Sequence, residues 1–206
     1  MTEKEVKSIL LNQLHFSQDA LYKLDIFSKA VIEYNLKFNL ISKSTINQIW
    51  DRHILDSAQL VKFIDFNDGL SLSDLGTGAG FPGIVIAIFN KNDKFHVKLY
   101  EKSRVKTKFL ISICDKLNIK ADIFENDYKL HKINSNYVVS RAFKKLEEHI
   151  RISREIVKVN HKLIILKGRS AEEEIKQLNN DLNYSYSLEK SITSPDSKIV
   201  IIEIKK

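Results

Sequence analysis

Twelve residues constrain this chain more than any others: Leu72-Ser73-Asp74-Leu75-Gly76-Thr77-Gly78-Ala79-Gly80-Phe81-Pro82-Gly83. The apolar approach from Leu70 to Leu75 reads as a buried strand, and it runs into glycines that let the backbone turn sharply with positive φ. Pro82 stands where a first helical position is expected, with no N–H to lose, and Ile84 to Phe89 supplies a short apolar helix behind it. Strand, glycine turn and helix follow in that order. Without side chains at Gly76, Gly78 and Gly80, a ligand can lie against bare backbone near a positive helix terminus, which suits a nucleotide or nucleoside.

The stretch fits two fingerprints. Gly78 to Gly83 matches the G-x-G-x-x-G of dinucleotide binders. Counted from Gly76, the first glycine after the strand, the spacing is instead G-x-G-x-G behind an acid, Asp74. That register resembles motif I of the Rossmann-like S-adenosylmethionine methyltransferases, and the resemblance implies that Asp74 faces the amino-acid end of the cofactor.

With 206 residues the chain can build one substantial α/β domain plus a small extension, divided here as a helical extension over 1–66 and a sheet-containing unit over 67–206 that together form one compact body. Lys and Arg number 33 against 26 Asp and Glu, a formal charge of +7 that favours a polyanion such as RNA. The single cysteine, Cys114, excludes an internal disulfide and a cysteine-based zinc cluster, and points to a reducing compartment with no metal assigned. No apolar run approaches about eighteen residues, and charged residues through Lys7 leave no signal-peptide core. A cytoplasmic protein with no membrane contact is the expectation.

Residues 2 to about 64 read as helical. Val6, Ile9, Leu10 and Leu14 make one apolar stripe, and Ala20, Leu21, Leu24, Phe27, Val31, Tyr34 and Phe38 make a longer one. Asn35 and Asn39, spaced i, i+4, would lie on one side of that helix, either reading a base edge or phosphate or capping the helix end. In Asp51-Arg52-His53-Ile54-Leu55-Asp56-Ser57 one helical turn cannot bring Ser57, His53 and Asp56 together as a hydrolytic triad. His53 and Asp56 read instead as an internal hydrogen-bonded pair near the cofactor or RNA face.

After the glycines, Phe95 to Tyr100 forms a second strand ending at Glu101, one βαβ unit along and placed to take both hydroxyls of a ribose. The cations Lys102, Arg104, Lys106 and Lys108 crowd the start of the next helix against its dipole, so an anion, RNA phosphate among the candidates, is expected there. A third strand, Ala121 to Phe124, leads into Glu125-Asn126-Asp127-Tyr128, where Asn126 or Asp127 could bond the exocyclic amine of an adenine. The fourth strand delivers Arg141-Ala142-Phe143 at its carboxyl end. A helix from Leu146 precedes strand His161 to Leu166, which ends in Lys167-Gly168, and Ser170 with Glu172 to Glu174 opens another helix. Tyr184 to Ile192 and Ile199 to Ile204 form a terminal hairpin, the feature that favours a methyltransferase sheet over an all-parallel dinucleotide-binding one.

Several ordered motifs carry a more specific likeness: Tyr34-Asn35 to Asn39-Leu40, Arg52-His53-Ile54-Leu55-Asp56-Ser57, Asp74 to Gly83, Glu101 to Leu110, Ser140-Arg141-Ala142-Phe143 and Leu166-Lys167-Gly168. With them the chain resembles the small-subunit ribosomal RNA guanine-N7 methyltransferase G family, also known as glucose-inhibited division protein B. The resemblance implies a Rossmann-like class I S-adenosylmethionine-dependent methyltransferase: a mostly parallel seven-stranded sheet with an antiparallel terminal strand and an N-terminal helical extension. It implies methylation of N7 of one guanine, guanine 527 in the 530 loop of 16S rRNA, by a monomer whose partner is that rRNA or the small ribosomal subunit. By the resemblance Gly76, Phe81 and Arg141 would contact S-adenosylmethionine; because positive charge moves onto the purine in the transfer, Arg141 is expected to serve the cofactor carboxylate or an RNA phosphate, and Lys167 is a further RNA candidate. Where the family usually has Arg-Ala-Glu in the adenine turn, this chain has Glu125-Asn126-Asp127. A nicotinamide-dependent oxidoreductase and a non-catalytic RNA-binding protein are the alternatives.

Overall fold

The computed structural model describes residues 1–141, 145–178 and 184–206. Ala142 and Phe143, from the expected Ser140 to Phe143 motif, lie outside the described residues. Thr2 and Glu5 close a capping box on α1 (Glu3–Asn12), the Thr2 hydroxyl accepting the Glu5 N–H and the Glu5 carboxylate accepting the Thr2 N–H. Ser17 accepts the Ala20 N–H and so starts α2 (Gln18–Asn35).

Apart from half-buried Ile9, the apolar stripes of both helices are buried as far as Val31, but α2 stops short of Phe38, which is exposed. The cause is Asn35, whose side-chain oxygen takes the N–H groups of Leu40 and Ile41 at 2.7 and 3.0 Å and turns the chain. Asn35 and Asn39 therefore do not share a helix face: Asn35 is buried as the post of the turn, and Asn39 is exposed within it. Asn35→Ala would orphan two buried donors and should lower the unfolding free energy by about 1–3 kcal/mol in urea titrations. An unchanged midpoint would contradict that role.

From Lys43 the chain winds irregularly: a 3-10 turn at Lys43–Gln48, a π-helical turn at Trp50–Leu55, α3 (Asp56–Ala58) and a second 3-10 turn at Gln59–Phe63. π turns are rare and gather at functional sites. This one carries Arg52 and His53.

Seven strands follow: β1 (Ser71–Leu75), β2 (His96–Glu101), β3 (Asp122–Glu125), β4 (Tyr137–Arg141), β5 (His161–Lys167), β6 (Tyr184–Lys190) and β7 (Lys198–Ile204). They pair in the order β3-β2-β1-β4-β5-β7-β6, all parallel except β7, which runs antiparallel to both neighbours. This is the Rossmann-like methyltransferase sheet expected from the sequence. Helices α4 (Gly83–Phe89), α5 (Arg104–Leu117), α6 (Leu146–Ile156) and α7 (Ala171–Lys176) complete the layers. At the start of α7 the Ser170 hydroxyl donates to Glu174 at 2.6 Å instead of capping a backbone N–H.

Side-chain alternation along the strands splits the core in two. Leu72, Val139 and Ile164 pack on one face with the N-terminal helices, α4 and α5, while Leu75, Val138 and Ile165 pack on the other with α6 and α7. The chain order reverses between β1 and β4, which opens a crevice beyond their carboxyl ends. Among the described residues no helix is long and apolar enough to cross a membrane.

Candidate functional site

The turn after β1 has positive φ at Gly76, Gly78 and Gly80, of 73°, 62° and 98°. Two of these glycines serve different ends. A Cβ on Gly80 would stand 2.4 Å from Ile84 Cγ1 and 3.3 Å from Leu110 Cδ2, so this residue is bare because the core demands it. A Cβ on Gly78 would meet nothing nearer than the Gly76 oxygen at 3.9 Å, so its bare face belongs to the crevice.

Asp74 lies beneath the turn, wholly buried, and is not among the residues lining the crevice. Its Oδ2 accepts the Gly83 N–H at 2.8 Å, pinning the start of α4 to β1. Burial pushes its carboxyl up to about 7, opposed by the Thr77 hydroxyl, by that N–H and by the Arg141 charge. Thr77 Oγ1 is buried beside Asp74, where its hydroxyl bears on the carboxylate.

The crevice encloses about 490 Å³. Gly76, Gly78 and Phe81 form one wall, Glu101 with Lys102 and Lys106 a second, and Asn126 with Asp127 and Tyr128 a third; Arg141 closes the end. Glu101 is held from both sides, Oε2 accepting the Gly78 N–H at 2.9 Å and Oε1 the Ser103 N–H at 2.8 Å. Asn126 sits at φ 107° and donates its N–H to the Glu101 carbonyl, so β2 and the third wall are joined. Asp127 Oδ1 accepts the Lys129 N–H. A larger hollow of about 1280 Å³ opens at the opposite end of the sheet, where β2 and β3 begin at His96 and Asp122. It lacks the glycine turn, and open α/β sheets take their ligands at the carboxyl ends.

Arg141 forms the boundary between the crevice and a second cavity of about 250 Å³. The expected pairing of His53 with Asp56 is not present. His53 Nδ1 instead accepts from Arg141 NH1 at 2.7 Å, which makes Nε2 the protonated nitrogen that donates to Thr45 Oγ1 at 2.8 Å; the Thr45 hydroxyl in turn donates to the Ser42 carbonyl. Asp56 is committed to Gln59 and Thr193. The π turn is the reason, since it re-aims the ring toward β4, eighty-eight residues away in sequence. Phe81 packs against the same ring at 5.1 Å and under the Arg141 guanidinium at 5.3 Å.

Burial first, then the Arg141 and Arg52 charges, pushes His53 down to about 3. A folded value below the unfolded one gives stability that is complete above about pH 6.5 and is lost as the pH falls toward 3. His53→Gln should therefore flatten the acid side of the stability profile across that window, measured by urea unfolding at stepped pH. Parallel profiles for the two proteins would contradict the assignment.

Of the basic candidates, Lys102 and Lys106 stand at the crevice mouth and Arg52 lines the second cavity. Arg104 pairs with Glu125 at 3.0 Å, and Lys108 is exposed on α5. Lys167, expected on the surface, is buried against Glu174 at 2.7 Å. Sequence reasoning missed Thr77 and Tyr100, although their places, inside the glycine turn and just before Glu101, were available as a signal. Nothing local marks Thr45 or Ser197 as lining the second cavity.

The chain matches the family model described as GidB, rRNA small subunit methyltransferase G, over residues 20–201. It is 34% identical over 202 residues to the ribosomal RNA small subunit methyltransferase G of Pelagibacter ubique, covering 96% of this chain and 93% of that one. To the protein of the same name from Mycoplasma capricolum it is 36% identical over 180 residues, covering 84% and 76%. Its fold is similar to that of a SAM dependent methyltransferase from Aquifex aeolicus, with a TM-score of 0.59 and 15% identity over 79% of this chain and 98% of the other. M. jannaschii TYW2 in complex with AdoMet is likewise similar, with a TM-score of 0.55 and 15% identity over 82% and 77%.

Proposed function

The chain belongs to the rRNA small subunit methyltransferase G family, and from that membership we propose that it transfers a methyl group from S-adenosylmethionine to N7 of a single guanine, guanine 527 in the 530 loop of 16S rRNA. The observation that carries this reading is the crevice at the β1/β4 reversal, which meets a second cavity at Arg141 and so offers a donor site and an acceptor site side by side.

The crevice residues fit the cofactor. Gly78 leaves open space, and Glu101 presents a carboxylate at the end of β2 for ribose hydroxyls. Asp74 supports the cofactor's amino-acid end from beneath the turn, by holding the Gly83 N–H and with it the start of α4. Asn126 and Asp127 offer amide and carboxylate partners to an adenine amine. The cofactor supplies an electrophilic methyl on a sulfonium.

Guanine N7 carries an in-plane lone pair, so no side chain has to remove a proton. The residues around Arg141 need only hold the two reactants in line and exclude water, effects that supply about 7–11 kcal/mol when the attack geometry is held. Arg141 is anchored by His53 and faces the crevice, which places its charge for a carboxylate or phosphate. Lys102 and Lys106 add positive charge at the mouth for the RNA backbone. Incubation with labelled S-adenosylmethionine and small subunits or naked 16S rRNA should place label on guanine N7, and calorimetry should give heat with S-adenosylmethionine and none with NAD. Binding of NAD instead, or an unlabelled rRNA in both forms, would overturn the reading.

A further inference from the structure

The second cavity is built from four stretches distant in sequence: Thr45, Arg52, His53 and Asp56 from the extension, Arg141 from the end of β4, Leu166 to Gly168 from the end of β5, and Ser197 from the loop between β6 and β7. Asp56 is fixed within it. Its Oδ1 accepts from Gln59 Nε2 at 3.1 Å and from the Thr193 hydroxyl at 2.8 Å, and Gln59 also bonds the Ser191 hydroxyl and the Ile192 N–H. The β6–β7 loop is thus latched onto the extension through one glutamine and one aspartate. Asp56 is half-buried, and its Oδ2 receives no hydrogen bond from the described residues, which leaves an open acceptor for something that enters the cavity.

Taking the function proposed above as given, we infer that this cavity receives the target guanine turned out of its RNA stack, and that Asp56 reads the base edge carrying N1–H and N2–H. Guanine presents two donors on that edge and a carboxylate is an acceptor only, so the two are complementary; adenine presents an acceptor at N1 and is refused. The assignment also serves the reaction. As the new carbon–nitrogen bond forms at N7, the carbon–sulfur bond breaks with its electron pair left on sulfur, no proton leaves, and the positive charge passes to the purine. N1–H and N2–H then become stronger donors, so the Asp56 contact tightens toward the transition state and accelerates transfer. Arg141 lines the same cavity and is held back on His53.

Asp56→Asn keeps the shape and the acceptor for Thr193 but turns a donor toward the cavity. With small subunits reconstituted around 16S rRNA bearing guanosine at position 527, kcat/KM should fall about a hundredfold while calorimetric affinity for S-adenosylmethionine is kept. With inosine at that position, which lacks the N2 amine, wild-type kcat/KM should fall about tenfold, and the variant should lose the preference for guanosine. A wild-type enzyme indifferent to inosine would overturn the inference whether or not the variant folds, as would a variant of undiminished rate or preference. Absence of any transfer by the wild type would instead defeat the functional reading itself, and this assignment with it.

Discussion

Glu101→Ala is expected to weaken S-adenosylmethionine binding by about 10²–10³-fold, roughly 3–4 kcal/mol, in calorimetric titration. The size follows from what the carboxylate holds. Its two oxygens take the N–H groups of Gly78 and Ser103, so alanine both removes a partner for the ribose and leaves two backbone donors of the crevice wall unpaired. Glu101→Gln keeps one oxygen and should fall between the two. Because Glu101 also ties the turn after β1 to the end of β2, a lower melting temperature should accompany the loss of affinity. Wild-type affinity in Glu101→Ala would show that the cofactor lies elsewhere.

The second large effect separates two neighbouring glycines. Gly80→Ala combines a positive φ of 98° with a Cβ 2.4 Å from Ile84, and should cost about 2–5 kcal/mol of unfolding free energy in urea. Gly78→Ala meets no such wall, and its methyl projects into the crevice. It should cost little stability beyond its own positive φ and should act on cofactor affinity instead. Reversed outcomes, a stable Gly80→Ala or a Gly78→Ala with wild-type affinity, would contradict the division between packing and binding.

These contrasts mark where the sequence was legible. Strand, glycine turn and helix follow from composition over a dozen residues, and the distance from Asp74 to Glu101 is that of one βαβ unit, so the sheet, its order of elements and its antiparallel last strand could be anticipated. Partnerships across the fold could not. His53 bonds Arg141 rather than Asp56, because a π turn, invisible in hydrophobic periodicity, rotates the ring toward β4. Of the two roles open to Asn35, the turn at the helix end is the one taken, because the end of α2 needed an acceptor for two amides. Lys167 stood as a candidate for RNA at a strand end, but α7 brings Glu174 back over it. In each case the deciding contact is made by a group that local pattern does not reveal, most often one brought in from another element.

Whether a donor crevice beside an acceptor cavity serves one guanine is decided by mapping N7-methylguanosine along 16S rRNA from cells with and without this protein. The expected result is one modification, at guanine 527, present in the first RNA, absent from the second and restored by the wild-type chain but not by Glu101→Ala. Identical N7-methylguanosine maps from the two cells would contradict it.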